Sequence, residues 1–294
     1  MKIIIKPILV PCIYTISRIR APSLGRKLVG FALEYLISST LAFFTVHIVY
    51  ISIKNGFDAS EILLDIWLFV LSYLMLFPIY EIGYAINDIY SVKFEEQEYK
   101  TNRINYDLVI SEKILVILLR LLLFGFLVKL FSFSISVPTT ISVAILILLV
   151  FTIHNFIKVD SRMVTTFPML RFLRNVFIFL PILQSSLECI MLTLFLFAYT
   201  ITNSVAYVKR KVKKEFIFNA LVQGENINIQ QISVRIINYN LSIPSNFAVL
   251  VITFFFLYGK EIFLDLVLFV TGILSYYLLL TLVSLVFILR VYQR

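Results

Sequence analysis

The feature that most constrains this chain is the repetition of apolar stretches long enough to cross a lipid bilayer. Crossing the hydrocarbon core takes about 20 predominantly apolar residues in helical form. Runs that meet or approach that length occupy 29–53, 62–87, 113–132, 135–157, 164–183, 187–208, 244–259 and 262–289. With 60% hydrophobic and 15% charged residues, against about 25% charged in a soluble domain, the chain lacks the polar complement that a water-facing surface requires. The expectation is an all-α, polytopic integral membrane bundle of eight transmembrane helices. A ninth, poorly hydrophobic helix beginning near Ile232 stays open, because 226–243 is polar yet amphipathic in places.

Charge placement predicts the orientation. Of the 26 Lys and Arg residues, only Lys54, Lys129 and Lys260 fall at the ends opposite the N-terminus, and Arg120 lies inside the third run. The other 22 flank the runs on the side of the N-terminus. Such an excess marks the cytoplasmic side, so both termini are expected there. Residues 1–28 carry Lys2, Lys6, Arg18, Arg20, Arg26 and Lys27, are broken by Pro7 and Pro11, and show no small-residue cleavage site. They read as an interfacial cytoplasmic arm ahead of a single helical domain, 29–294, rather than as a cleaved signal peptide. The net charge of +9 then serves topology and attraction to anionic lipid headgroups, and nucleic acid is not an expected partner.

The loops are unequal. Those on the outer side are tight, as at Tyr258-Gly259-Lys260-Glu261, whereas 88–112 and 209–243 are long, polar and cytoplasmic. Long loops in compact domains tend to be functional or disordered, so aqueous chemistry is expected on the cytoplasmic face. Cys12 and Cys189, His47 and His154 are scattered through apolar surroundings and give no disulfide framework, zinc or haem spacing. His154, beside Asn155, Lys158 and Arg162, reads either as a general base or as a helix-end histidine satisfied locally. Nucleotide-loop, nucleophile-elbow, zincin and dinucleotide-binding motifs are missing from the sequence.

The informative stretch closes the second run. Glu81, Tyr84, Asp88, Ser91 and Glu95 are spaced by three and four positions, which places them on one helical face. Glu81 lies at hydrocarbon depth, where an ionisable group is expensive and normally faces a polar cavity. A carboxylate stripe reaching the cytoplasmic mouth suits Mg²⁺, a cation held by one or two carboxylates plus substrate phosphates. The plainer reading is a helix end whose acids solvate the interface and offset Lys93 and Lys100.

Asn87-Asp88-x-x-Ser91-x-x-x-Glu95, with Lys100-Thr-Asn-Arg103 behind it, resembles the first signature of the UbiA prenyltransferase superfamily, Asn-Asp-x-x-Asp-x-x-x-Asp followed by Arg. The layout of eight to nine helices with long second and sixth loops is similar to that family. So is His154-Asn155-x-x-Lys158, then Arg162, Arg171 and Arg174, at the entrance to the fifth run. Ser91 and Glu95 stand where the signature has aspartates. The second aspartate-rich signature has no counterpart, since 189–214 contains no acid and reads Asn203, Tyr207, Lys209, Arg210 and Lys211 at the corresponding place.

The resemblance implies a divergent intramembrane transferase acting on a polyprenyl phosphate or diphosphate at the cytoplasmic face. The transfer would be of a prenyl group to an acceptor, or of a sugar phosphate to the polyprenyl phosphate. In that reading Asp88 and Glu95 bind one Mg²⁺ and Asn87 orients it, making these the catalytic set. Arg103, Lys158, Arg162, Lys209 and Arg210 grip phosphate, with Asn203 and Tyr207 hydrogen-bonding substrate. Asp88 and Asn203 would face one cytoplasmic cavity. Against this stand readings of Lys209 to Lys211 as a stop signal and of Asn203 and Tyr207 as interhelical contacts. The alternative for the whole chain is a non-catalytic UbiA-like protein that binds or moves a lipid or scaffolds a neighbour; an unrelated transporter with Glu81 as its coupling site is a third. Membrane lipids are expected partners, and a second copy or another protein stays open.

Overall fold

The structure is a computed structural model that describes residues 13–17, 25, 28, 31–32, 40–90, 109–157, 162, 165–183, 185–212, 229–258 and 263–292. Among these residues every regular element is helical. In chain order they are α1 (Ile13–Ser17), α2 (Thr40–Asn55), α3 (Ala59–Tyr90), α4 (Ile110–Leu130), α5 (Val137–Phe156), α6 (Thr166–Phe179), α7 (Ser186–Val212), α8 (Ile229–Tyr258) and α9 (Phe263–Tyr292). Four of them carry segments long and apolar enough to cross a membrane: Ala59–Ile89, Val137–Phe156, Ser186–Val205 and Leu264–Val286. Their outward faces remain apolar, as at Leu63, Leu74, Ile145, Leu149, Leu279 and Leu282, so the solvent they meet is lipid. This is a membrane-embedded, all-α protein.

Two runs differ from expectation. The run 164–183 forms α6, only 14 residues long, or about 21 Å at 1.5 Å per residue, short of the roughly 30 Å core. Its helix ends before Pro181, which lacks the N–H needed to continue the ladder. The segment thought to be loop before 244 is helical from Ile229 and runs without interruption into the apolar run, past Pro244. The ninth helix and the seventh apolar run are therefore one element. Polar side chains do not forbid this, because Ser and Asn in a membrane helix can bond back to the preceding turn, as Ser245 does to the Leu241 carbonyl at 2.8 Å.

The described helices gather into two compact units, one comprising Met1–Leu36 with Ser60–Leu183, the other Ile37–Ala59 with Gln184–Arg294. In the first, α5 packs on α6, and Leu71, Met75, Leu76, Ile79 and Ile82 of α3 join Ile147, Val150 and Phe151 of α5 and Leu173, Phe177 and Ile178 of α6 in a common core. Gly83 is a point of close approach: a Cβ there would overlap the Phe151 ring. That ring stands edge-on to Tyr80 and Tyr84, at 5.2 and 5.6 Å. The Tyr80 hydroxyl donates to the Leu170 carbonyl at 2.5 Å, tying α3 to α6.

In the second unit α8 packs on α7 and α9, and α2 on α9 and α7. Its core is built from Phe43, Val46, Phe195, Phe247, Phe269 and Ile273. Glu188 closes a capping box at the start of α7. Its carboxylate accepts from the Ser185 N–H at 2.8 Å while the Ser185 hydroxyl accepts from the Glu188 N–H at 3.2 Å.

Candidate functional site: a compensated charge ladder in the first unit

Glu81 and Asp88 are seven positions apart on α3, and Lys113 and Arg120 seven apart on α4. Seven residues span about 10 Å of helix and return to nearly the same face. The two antiparallel helices therefore meet in two rungs. In the inner rung Arg120 Nε donates to Glu81 Oε2 at 2.5 Å, with both side chains almost wholly buried. In the outer rung the Lys113 ammonium reaches the Asp88 main-chain carbonyl at 3.4 Å. Helix α1 covers both rungs. Thr15 brings its N–H to Glu81 Oε1 at 3.2 Å and its hydroxyl at 3.5 Å, and the Tyr14 hydroxyl donates to Asp88 Oδ2 at 2.5 Å. Tyr14, Ala85 and Val116 pack between the rungs as a small apolar cluster.

This arrangement changes the meaning of Glu81. An isolated carboxylate at that depth would cost several kcal/mol, and the guanidinium with two further donors offsets the cost. Arg120, a basic residue in the middle of the third run, is its partner. The equal seven-residue spacing of the acids on α3 and the bases on α4 was the available signal.

Asn87 is buried and Asp88 half-buried at the end of α3. Glu95, Arg103 and Lys158 lie outside the described residues, as do the side chains of Tyr207, Lys209 and Arg210. Arg162 is buried and donates Nε to the Ile157 carbonyl at 2.8 Å and Nη2 to that of Asn155 at 3.1 Å. It thus closes the C-terminus of α5, where carbonyls lack intrahelical partners and the helix dipole favours a cation. Asn203 is buried in the second unit, its amide donating to the Tyr199 carbonyl one turn back at 3.0 Å. His154 meets the Thr166 hydroxyl at 2.7 Å, linking α5 to α6. His47 is far from isolated: its Nδ1 lies 3.2 Å from Glu188 Oε1.

No group of three or more His, Cys, Asp or Glu that could hold a metal occurs among the described residues. Mg²⁺ takes near-octahedral oxygen ligands and usually shares one or two carboxylates with substrate phosphates. Glu81 is committed to Arg120, so the described stripe offers Asp88 alone, already accepting from Tyr14. These residues by themselves do not make a resident metal site.

Asn155 lies in the last turn of α5, beside His154. Its side chain is buried, and neither Nδ2 nor Oδ1 has a hydrogen-bond partner. It lies one turn beyond Phe151, as Asn87 lies one turn beyond Gly83. Helices α3 and α5 run in parallel, since Trp67 meets Phe131 just ahead of α5, and Tyr80 and Tyr84 meet Phe151 further along. Both asparagines therefore sit at the same level.

Long lipid-facing helices and a buried, charge-compensated polar ladder define the class: a multi-helix membrane protein with a polar site inside its first unit. The chain matches no family model, no curated protein and no solved structure.

Proposed function

We propose that the chain is a divergent UbiA-like intramembrane transferase with eight or nine spans and cytoplasmic termini, which takes a polyprenyl phosphate or diphosphate at its cytoplasmic face. The observation that carries this reading is Asn155. A buried amide with both atoms unpaired costs about 1–3 kcal/mol, and natural proteins keep such a group where something else pairs with it. A substrate headgroup that both accepts and donates would satisfy it. The level of Asn155 is that of Asn87, and half-buried Asp88, with Lys113 near it, lies at the same end of α3 on the face turned to α4, so an anionic headgroup entering from the cytoplasm would meet polar groups on both sides of α3. Lys113 supplies positive charge, and Arg162 braces the α5 end that carries Asn155. A Mg²⁺ ion arriving with the phosphate would take Asp88, with Glu95 and Asn87, as its protein contribution, and would neutralise phosphate charge.

Two outcomes are expected. Asn155→Leu leaves thermal stability unchanged or raised, because an unsatisfied group is removed, while affinity for a polyprenyl phosphate falls about tenfold for two lost neutral hydrogen bonds. Stability lost together with affinity would mean that Asn155 is paired within the fold and would remove the reading. Asp88→Asn weakens lipid-phosphate binding by about tenfold or more, since a charged interaction is lost, and the loss disappears in EDTA. Equal binding by wild type and variant, with and without chelator, would leave Asp88 as an interfacial helix end. Native mass spectrometry of the purified chain would identify the retained lipid.

A second reading, a non-catalytic lipid-binding or lipid-moving protein, is favoured by the way Arg120 and Tyr14 already engage the two carboxylates. It predicts retention of a lipid phosphate with no turnover.

A further inference from the structure

The second unit holds ionisable groups that the proposed transferase does not use. His47 is fully buried on α2, and Glu188 nearly so at the start of α7; the 3.2 Å between Nδ1 and Oε1 is an ion-pair distance once the imidazole is protonated, although the two atoms are not aligned as a hydrogen bond. His47, Tyr50 and Lys54 follow at helical spacing on α2, so they form one line toward the end of the helix. The Lys54 ammonium donates to the Tyr50 hydroxyl at 2.7 Å and pairs with Asp265 of α9 at 3.6 Å. Lys54 is half-exposed there and Asp265 a quarter exposed, which makes this end wet. The ammonium's pKa is pushed up, chiefly by its hydrogen bond to Tyr50, so the mouth keeps its positive charge at physiological pH.

Among the described residues, the opposite direction is closed. One turn deeper than His47 lies Phe43, with its ring 5.8 Å from both Phe195 and Phe269. All three rings are fully buried, and Phe247 packs edge-on to Phe195 at 5.9 Å. At the side, α9 comes so near α2 that a Cβ on Gly272 would stand 2.9 Å from Val46. Aromatic and aliphatic groups of this kind offer no hydrogen-bonded route for a proton.

We infer that the His47–Glu188 pair is a proton-binding site, loaded from the Lys54–Asp265 end and closed toward the other. One proton enters from water at the Lys54–Asp265 end and rests on the imidazole beside the Glu188 carboxylate; nothing else is transferred. By the charge asymmetry of the loops, the open end is the one expected outside the cytoplasm. A buried ionisable pair inside a membrane protein marks a functional site, and imidazole is the side chain that changes charge near neutral pH. Among the described residues, the titratable and charged groups around His47 are Tyr50 and Lys54 on its own helix, Glu188 and the exposed Cys189 on α7, and Asp265 on α9.

The chain has two histidines, so ¹⁵N-histidine labelling of the full-length protein in nanodiscs yields two imidazole signals, and His47→Gln assigns them. The His47 signal is expected to titrate between pH about 5 and about 8. Glu188→Gln should lower the midpoint by about one unit or more, through loss of the adjacent carboxylate charge. Lys54→Met, at a half-exposed position, should raise it by removing a positive charge from the mouth. A His47 signal that does not move across this range overturns the proposal, as does a midpoint unchanged in Glu188→Gln. If Glu188→Gln does not fold, an unchanged midpoint in Lys54→Met overturns it instead. In vesicles enclosing a pH dye, acidifying the outside should change the inside no faster than in protein-free vesicles. A proton leak abolished by His47→Gln would disprove the closed end.

Discussion

Arg120→Leu is expected to destabilise the first unit by about 3–5 kcal/mol, the usual consequence of leaving one member of a buried ion pair without the other. The effect is large because Glu81 is fully buried and would lose the guanidinium that balances its charge. Glu81→Leu alone should cost a similar amount by stranding the guanidinium. The double variant Glu81→Leu, Arg120→Leu should recover most of the loss, since two leucines of matching depth need no desolvation of charge. Thermal unfolding of the three purified variants in detergent gives the coupling directly. Full stability in Arg120→Leu would mean that water or lipid headgroups reach Glu81. A double variant no better than either single one would mean that packing, and not charge, holds the rung together. If the double variant is stable yet binds no lipid phosphate, the ladder serves the ligand and not the fold.

Gly83→Val should cost about 1–3 kcal/mol, as overpacking of a filled core does, and toward the upper end of that range. The added Cβ would overlap the Phe151 ring, and the ring has nowhere to turn. Tyr80 and Tyr84 stand edge-on to it, and Tyr80 is tied through its hydroxyl to the Leu170 carbonyl. Helices α3 and α5 must therefore separate. Phe151→Leu should relieve the clash while opening a smaller gap of its own, so the pair of changes should be less harmful than the sum of the two by at least about 0.5 kcal/mol. Strict additivity would show that Gly83 does not approach α5 in solution. Because Asn87 and Asn155 sit one turn beyond this contact, Gly83→Val should also lower lipid-phosphate affinity, whereas Arg120→Leu acts on the far side of α3.

The parts of the fold that were legible follow from two periodicities. A continuous apolar run of bilayer length admits little besides a membrane helix, so α3, α5, α7 and α9 lie within a few residues of their runs at 62–87, 135–157, 187–208 and 262–289. Where the run contained its own breakers or charges, the reading failed. Pro181 follows the end of α6 and helps keep it short, and the polar residues before 244 concealed the first half of α8. In the site, helical spacing placed Glu81 and Asp88 on one face, and the structure keeps them there. What they face could not be read, because Arg120, Tyr14 and Thr15 come from other helices, and a contact across 39 or 66 positions leaves no local mark in the chain.

The sequence by itself determined the solvent of this protein, its helical class and the face of α3 that carries charge. These depend on composition and on spacing within single helices, which are local quantities. Tertiary structure alone decided which charges are compensated. It made Glu81 the partner of Arg120, and it set Arg162 against the end of α5. It gave His47 an acid neighbour and left the Asn155 amide unpaired. Each of these depends on the few ångströms between one helix and the next, a distance set by packing at points such as Gly83 against Phe151 and Gly272 against Val46.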